Sequence, residues 1–178
     1  MNALDIFLFH SIYDLGEKLN LPQFVILFFA EDLAYILLGI LLIYILYSSK
    51  KHKQKIGIIV SLAVSIIISR YAIVEGFRTF WHRPRPFVEL NLFEIVSESS
   101  HSFPSAHASI FSAISTVIFF HNRKMGIAFF CTTVVIGLGR ILAGVHYPSD
   151  IVAGLIVGVI SGALGYYSVA LLPKKKGF

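Results

Sequence analysis

Long uncharged stretches alternate along this chain with short charged turns, and their lengths predict helices that cross a bilayer. After Pro22 an apolar run extends to Tyr47, interrupted by Glu31 and Asp32, with Leu33 to Ser49 free of charge. A second run is uncharged from Ile56 to Ser69 and continues through Phe77, with Arg70 and Glu75 near its end. Ala108 to Phe120 is apolar but short. Met125 to Val145 is apolar except for Arg140, and Ile151 to Leu172 carries no charge at all. The longer runs approach or exceed the roughly 20 residues that a helical crossing needs. Gly154, Gly158, Gly162 and Gly165 in the last run would let a neighbouring helix approach closely. The opening stretch is of another kind. Leu4, Ile6, Phe7, Phe9, Ile12 and Leu15 mix with Asp5, Asp14, Glu17 and Lys18, which predicts an amphipathic helix lying in the interface. The expected fold is an all-α polytopic membrane helix bundle of about five transmembrane helices plus this N-terminal interfacial helix, six helices in all, forming a single domain over residues 1–178.

Charge gives the bundle a direction. Lys50, Lys51, Lys53 and Lys55 follow the first crossing, Arg123 and Lys124 the third, and Lys174, Lys175 and Lys176 the fifth. Five crossings put all of them on one side, which the positive-inside rule makes cytoplasmic. The terminal lysine run is expected to be disordered. Two polar regions then share the opposite face: the segment from Arg78 to Phe103, too long for an ordinary tight connection, and the turn from His146 to Asp150. The chain is thus expected to be a multi-pass protein of the inner (cytoplasmic) membrane, with its functional face toward the periplasm or cell exterior.

Composition agrees with a lipid solvent, since 56% of residues are apolar and only 14% charged. The net charge of +5 raises the question of nucleic acid, but the lysines gather in turns between apolar runs, so no nucleic-acid partner is expected. A single cysteine, Cys131, excludes an intramolecular disulfide and a cysteine metal cluster. The first residues lack the basic start and cleavage site of a signal peptide, so the spans themselves are expected to direct insertion.

Three segments carry candidate chemistry. In the first, Arg78 precedes Arg85-Pro86 by six intervening residues. Guanidinium groups keep their charge and present planar forks of donors that match phosphate oxygens. Interfacial anchoring beside Trp81 is the competing reading. In the second, Phe103-Pro104-Ser105-Ala106-His107 stands where the polar loop meets an apolar helix. Ser105 would cap that helix, its first free amides would face an anion, and His107 would look the same way. A structural histidine near a helix start is the plainer alternative. In the third, Gly139-Arg140 is followed after five residues by His146, and after three more by Asp150. A charge such as Arg140 inside an apolar run is costly and marks a function or a specific partner. Asp150 is close enough to His146 to hold one imidazole nitrogen and leave the other free as nucleophile or base. Together these residues point to phosphoryl transfer. One carboxylate amid surplus positive charge disfavours a divalent cation, so no metal and no other cofactor is expected.

In this order and spacing, the segments resemble the tripartite signature of the type 2 phosphatidic acid phosphatase superfamily, which includes vanadium haloperoxidases and bacterial acid phosphatases. The family pattern has Lys where this chain has Arg78, Gly where it has Ala106 and Ser where it has Gly139; Arg85-Pro86, Pro104-Ser105, His107, Arg140, His146 and Asp150 match. Within the superfamily the compact length, the amphipathic start and the basic turn His121-Asn122-Arg123-Lys124 are most similar to the small bacterial undecaprenyl-diphosphate phosphatases associated with bacitracin resistance.

That resemblance implies a metal-independent phosphatase of a membrane lipid phosphate or diphosphate. His146 would be the nucleophile, Asp150 its orienting carboxylate and His107 the proton donor. Arg78, Arg85, Arg140 and the amides near Ser105 and Ala106 would hold the phosphate. Arg83, outside the signature, is a possible contact for the second phosphate of a diphosphate. Expected partners are the lipid substrate and the surrounding membrane lipids. Other lipid phosphates (phosphatidylglycerophosphate, phosphatidic acid or lipid A) remain alternatives, as does a non-catalytic protein that binds or transports anionic lipids.

Overall fold

The computed structural model describes residues 3–171, and it is helical throughout its regular parts. Seven helices are present among the described residues. They are α1 (Ala3–Lys18), α2 (Gln23–Tyr47), α3 (His52–Phe80), the short α4 (Pro86–Glu89), α5 (Ala106–His121), α6 (Arg123–Leu142) and α7 (Pro148–Ala170). Helices α2, α3, α6 and α7, of 25, 29, 20 and 23 residues, are each long and apolar enough to cross a membrane. Four helices of crossing length stand against about five expected; the apolar but shorter α5 takes the place of the remaining one, and α4 is one turn beyond the six helices expected. The lysines at 174–176, expected to be disordered, lie outside the described residues.

Helix α5 is the axis of the bundle. Its 16 residues span about 24 Å at 1.5 Å each, less than the hydrocarbon thickness, and α3, α6 and α7 pack around it. Phe111, Ile114, Val117 and Ile118 from α5 join Leu37, Leu41, Ile58, Leu62 and Ile136 in the main apolar core. The side facing α7 is different, because there small residues meet small residues. A Cβ at Gly154 would lie 2.6 Å from the Ser105 carbonyl oxygen, and one at Gly158 would lie 2.4 Å from that of Ser109. The stripe in α7 therefore brings its backbone onto that of α5, with dispersion contacts and hydrogen bonds such as Ser112 Oγ to the Leu155 carbonyl (2.8 Å) in place of a hydrophobic driving force that lipid cannot supply. Outward, Leu42, Ile59, Ile127, Leu138, Ile156 and Leu164 are exposed, as a lipid-facing surface requires.

Helix ends follow local chemistry. Asn122 closes α5 with its backbone N–H and caps α6 by accepting from the Met125 amide (3.2 Å), so two antiparallel helices meet across one residue. Lys50, Ser49, His121 and Asn122 border one pocket, which puts both basic turns at the same end of the bundle. At the other end stand α1, the segment after α3, and the turn between α6 and α7. Two stretches widen to π-helix, Phe28–Asp32 within α2 and Ile67–Val74 within α3, a feature that apolar periodicity does not reveal. Helix α3 also runs three residues past Phe77, so Arg78 projects from a helix rather than opening a loop.

Candidate active site

A cavity of about 410 Å³ opens between α2, α3 and α5 at the end away from the basic turns. Arg78, Arg85, Glu98, Ser100, His107 and His146 line its polar part. Ala34, Leu38, Ile66, Ile110 and Ile114 continue it as an apolar furrow down the bundle, with Tyr35 and Arg70 also on its wall. All three sequence segments meet here.

The basic groups are placed by different means. Arg85 stands just before α4, and its guanidinium binds the loop that returns over the site: Nε donates to the Ser100 carbonyl (2.7 Å) and one terminal nitrogen to Glu98 (3.2 Å). The other terminal nitrogen donates to the Val145 carbonyl (2.9 Å) and reaches His146 Nε2 at 3.2 Å. Burial draws the Arg85 pKa down to about 10, with Glu98 opposing, so it stays cationic at neutral pH. Arg78 donates to Ser100 Oγ and the Pro104 carbonyl, both at 3.2 Å. Arg140 is fully buried and sits behind the cavity wall, reaching Glu31 at 3.3 Å and Glu98 through a close ion pair. Burial alone would raise the Glu98 pKa, but Arg85 and Arg140 overcome it and hold the carboxyl below its usual range. The buried Nε atoms of Arg78 and Arg140 have no partner among the described residues. Buried N–H groups without a partner are uncommon, and the Arg78 one belongs to a side chain on the cavity wall.

His146 is almost wholly buried between Arg85 and Asp150. An arginine can only donate, so His146 Nε2 accepts and Nδ1 carries the proton, directed at Asp150 Oδ2. That contact, at 3.5 Å, is electrostatic rather than a formed hydrogen bond. Burial lowers the His146 pKa to about 4 against the pull of Asp150, with Arg85 and Arg140 adding to the effect. The imidazole is therefore neutral near pH 7, with its lone pair on the cavity side.

Asp150 lies behind His146, in the first turn of α7. Its Oδ2 accepts from the Tyr147 amide (2.8 Å) and from Ser102 Oγ in a short bond, closing a capping turn. Ser105 caps α5, accepting from the Ala108 amide at 3.4 Å, while Ala106 and His107 face the cavity. The Gly139 departure from the family pattern has a steric reason. A Cβ there would lie 2.6 Å from the Phe29 carbonyl carbon and 2.7 Å from the Ala30 nitrogen, so the π-helical stretch of α2 occupies the place of a serine side chain.

Arg83, expected as a contact for a second phosphate, lies apart from this cavity and lines a separate one of about 690 Å³ with Leu4, Leu8, Trp81 and Val152. Its terminal nitrogens are bound to Asp150 Oδ1 (2.6 Å), Ser149 Oγ (2.7 Å) and Asp5, on the far side of Asp150 from His146. Glu98, Ser100, Ser102, Asp5 and Arg70 are site residues that sequence reasoning did not assign. Arg70 lines the cavity and pairs with Glu75, and Glu31, from the π-helical stretch of α2, pairs with Arg140.

An apolar helical bundle that gathers a buried histidine, a carboxylate behind it and several arginines at one end has the groups that phosphoryl transfer calls for. The chain belongs to the PAP2 superfamily, which it matches over residues 54–173. It is 30% identical to the undecaprenyl-diphosphatase BcrC of Bacillus subtilis over 88% of this chain and 80% of that one. It is also 30% identical to the bacitracin transport permease protein BcrC of Bacillus licheniformis, over 96% and 83% respectively. Its fold is similar to the crystal structure of Aquifex aeolicus LpxE, with a TM-score of 0.75, 25% identity, and coverage of 93% of this chain and 96% of that one. The protein is a multi-pass membrane phosphatase of the PAP2 type acting on lipid phosphates.

Proposed function

We propose that this phosphatase removes the terminal phosphate of a polyprenyl diphosphate, undecaprenyl diphosphate foremost, leaving the lipid monophosphate and inorganic phosphate. The observation that carries this reading is the continuity of the cavity: a cationic head lined by Arg78 and Arg85 beside His107 and His146 opens directly into the apolar furrow of Leu38, Ile66, Ile110 and Ile114. A headgroup phosphate fits the first part and a long tail the second. The 30% identity to a relative named as an undecaprenyl-diphosphatase supports the choice of tail.

In this reading His146 Nε2 attacks the terminal phosphorus, and the bond to the bridging oxygen breaks. His107 gives its proton to that oxygen, so the lipid monophosphate leaves and a phosphohistidine remains. Water then attacks phosphorus, passing its proton to His107, and the N–P bond breaks to release phosphate. Asp150 stabilises the imidazolium, and Arg78, Arg85, Arg140 and the amides at Ser105 and Ala106 take the charge on the equatorial oxygens. No metal takes part. With Arg83 turned away, Arg70 is the cation suited to the inner phosphate, because it lines the cavity one helical turn from Ile66, where the head gives way to the furrow. The two basic turns at the opposite end support an orientation with the site facing the periplasm or exterior of the inner membrane.

Phosphate release from detergent-solubilised protein, with EDTA present, tests this across undecaprenyl diphosphate, undecaprenyl phosphate, phosphatidylglycerophosphate, phosphatidic acid and lipid A. The diphosphate is expected to be cleaved fastest, His146→Ala to be inactive, and Arg70→Ala to slow the diphosphate more than any monophosphate. Preference for another lipid overturns the substrate, loss on chelation overturns the metal-free chemistry, activity in His146→Ala overturns the nucleophile, and no release from any lipid returns the chain to the binding reading.

A further inference from the structure

Behind the catalytic carboxylate lies a second polar cluster that the reaction as described does not use. Asp5, from the first turn of the interfacial helix α1, is buried, with 7% exposure. Its Oδ1 accepts from the Ser149 backbone amide (3.0 Å) and its Oδ2 from Ser149 Oγ (2.6 Å). Ser149 is the second residue of α7, so a carboxylate from one helix caps the N-terminus of another, the one that carries Asp150. Arg83 bridges Asp5 and Asp150 and lies over the Tyr147 ring with its guanidinium carbon 4.3 Å from the centroid. Tyr147 is itself fully buried and donates to Glu89 (3.1 Å).

This arrangement leaves Asp150 little freedom. Arg83 takes Oδ1, whereas Ser102 and the Tyr147 amide take Oδ2, the oxygen facing the Nδ1–H of His146. Without Arg83, Oδ1 would be a buried acceptor with no partner, and the carboxylate would rotate or draw in water to satisfy it. Either change moves Oδ2 from His146, whose contact is already long. Asp5 in turn neutralises Arg83 and fixes its fork from the side opposite Asp150.

We propose that Asp5 and Arg83 are positioning residues for catalysis: the pair holds Asp150 in the orientation that presents His146 to phosphorus, and so ties the interfacial helix to the nucleophile. The proposal rests on the roles of His146 and Asp150 given above. Neither residue touches substrate, so their loss lowers turnover and leaves substrate binding in place. Supporting groups of this kind typically contribute about 10–100-fold to activity.

The test measures kcat and KM of detergent-solubilised protein on farnesyl diphosphate and farnesyl monophosphate. Arg83→Ala is expected to lower kcat by about 10–100-fold on both probes with KM within about threefold of the parent. Arg83→Lys, which can still bridge two carboxylates, recovers part of that loss. Asp5→Asn lowers kcat in the same pattern, and adding it to Arg83→Ala costs far less than the two separate losses multiplied, because both act through one contact. Should Arg83→Ala not yield folded protein, Arg83→Lys and Asp5→Asn carry the same comparison. Unchanged kcat in both folded variants, a KM rise confined to the diphosphate, or fully multiplicative effects would each overturn the proposal. His146→Ala, assayed alongside, separates the two levels: residual activity there overturns the nucleophile itself, whereas an inactive His146→Ala with normal Arg83 and Asp5 variants overturns only the positioning pair.

Discussion

The two faces of Asp150 hold arginines of opposite kinds. On the His146 side, Arg78 on the cavity wall and Arg140 behind it each keep a buried Nε without a partner among the described residues. On the far face, both terminal nitrogens of Arg83 are bound, to two carboxylates and a hydroxyl. An unpaired buried donor is tolerated where a ligand will complete it, and a paired one holds structure. Proximity to the signature therefore does not decide an arginine's role; the completeness of its hydrogen bonding does. Arg85 stands between the extremes, fixing the loop at Ser100 and touching His146 at the same time.

Removing one arginine from each face breaks the comparison most directly. Arg140→Ala takes away one of the proposed phosphate donors and leaves Glu98 and Glu31 without their shared cation. Loss of one preorganised donor at a developing oxyanion lowers rates by about 10²–10³-fold, so kcat/KM for Arg140→Ala should fall by at least that much. The change should also lower the melting temperature, because Glu98 loses a neutralising partner in a largely buried place. Steady-state kinetics and a thermal unfolding scan check both. A loss smaller than that of Arg83→Ala would reverse the assignment of the two faces.

The pH profile sharpens the electrostatic side of the comparison. On the cavity face, burial together with Arg85 and Arg140 keeps His146 neutral down to about pH 4, against the opposite influence of Asp150. A lowered pKa means the nucleophile remains unprotonated as pH falls, so its contribution to the acid limb of kcat/KM should appear near pH 4. A histidine at its ordinary value near 6.5 would already have lost about 30-fold by pH 5. Initial rates from pH 3.5 to 8 on an alkyl diphosphate distinguish these, and an acid limb from the enzyme at 6 to 7 would show that His146 is far less buried in solution.

Much of this was legible in the sequence, and the boundary has a physical cause. Helices α2, α3, α6 and α7 are readable because each must satisfy its backbone within one segment and cover it with apolar side chains, a local requirement that leaves a local pattern. The three motifs are readable because His146 and Asp150, or Arg78 and Arg85, stand in fixed spacing on one element or turn. Asp5 and Arg83 are 78 residues apart, and only the tertiary fold brings them together. Arg83 was thus visible as a cation and not as a member of a pair. A weak signal existed for Asp5, an acidic residue in the first turn of a helix whose Phe9, one turn on, is fully buried. Glu98 gave less: a charge in a serine-rich loop, with nothing to mark it as the bridge between Arg85 and Arg140.

Two of the three family departures, Gly139 and Ala106, give the smaller effects, and they differ for reasons of packing. Gly139→Ser restores the common residue but drives its Cβ into the Phe29 and Ala30 backbone, which can yield only by moving α2. Overpacking of this kind costs about 1–3 kcal/mol, and because Glu31 lies one residue beyond Ala30, its ion pair with Arg140 should loosen as well. A lower melting temperature with a modest fall in kcat/KM is expected. Ala106→Gly restores the common residue on the other side of the cavity, in the first turn of α5, where the backbone amide is retained and only a methyl group is lost. Its cost is the added freedom of glycine in a helix, up to about 1 kcal/mol. Kinetic constants should therefore stay within about twofold of the parent while the melting temperature drops slightly. A large loss of kcat/KM in Ala106→Gly, with the fold intact, would mean that the methyl group rather than the amide at this position shapes the phosphate site.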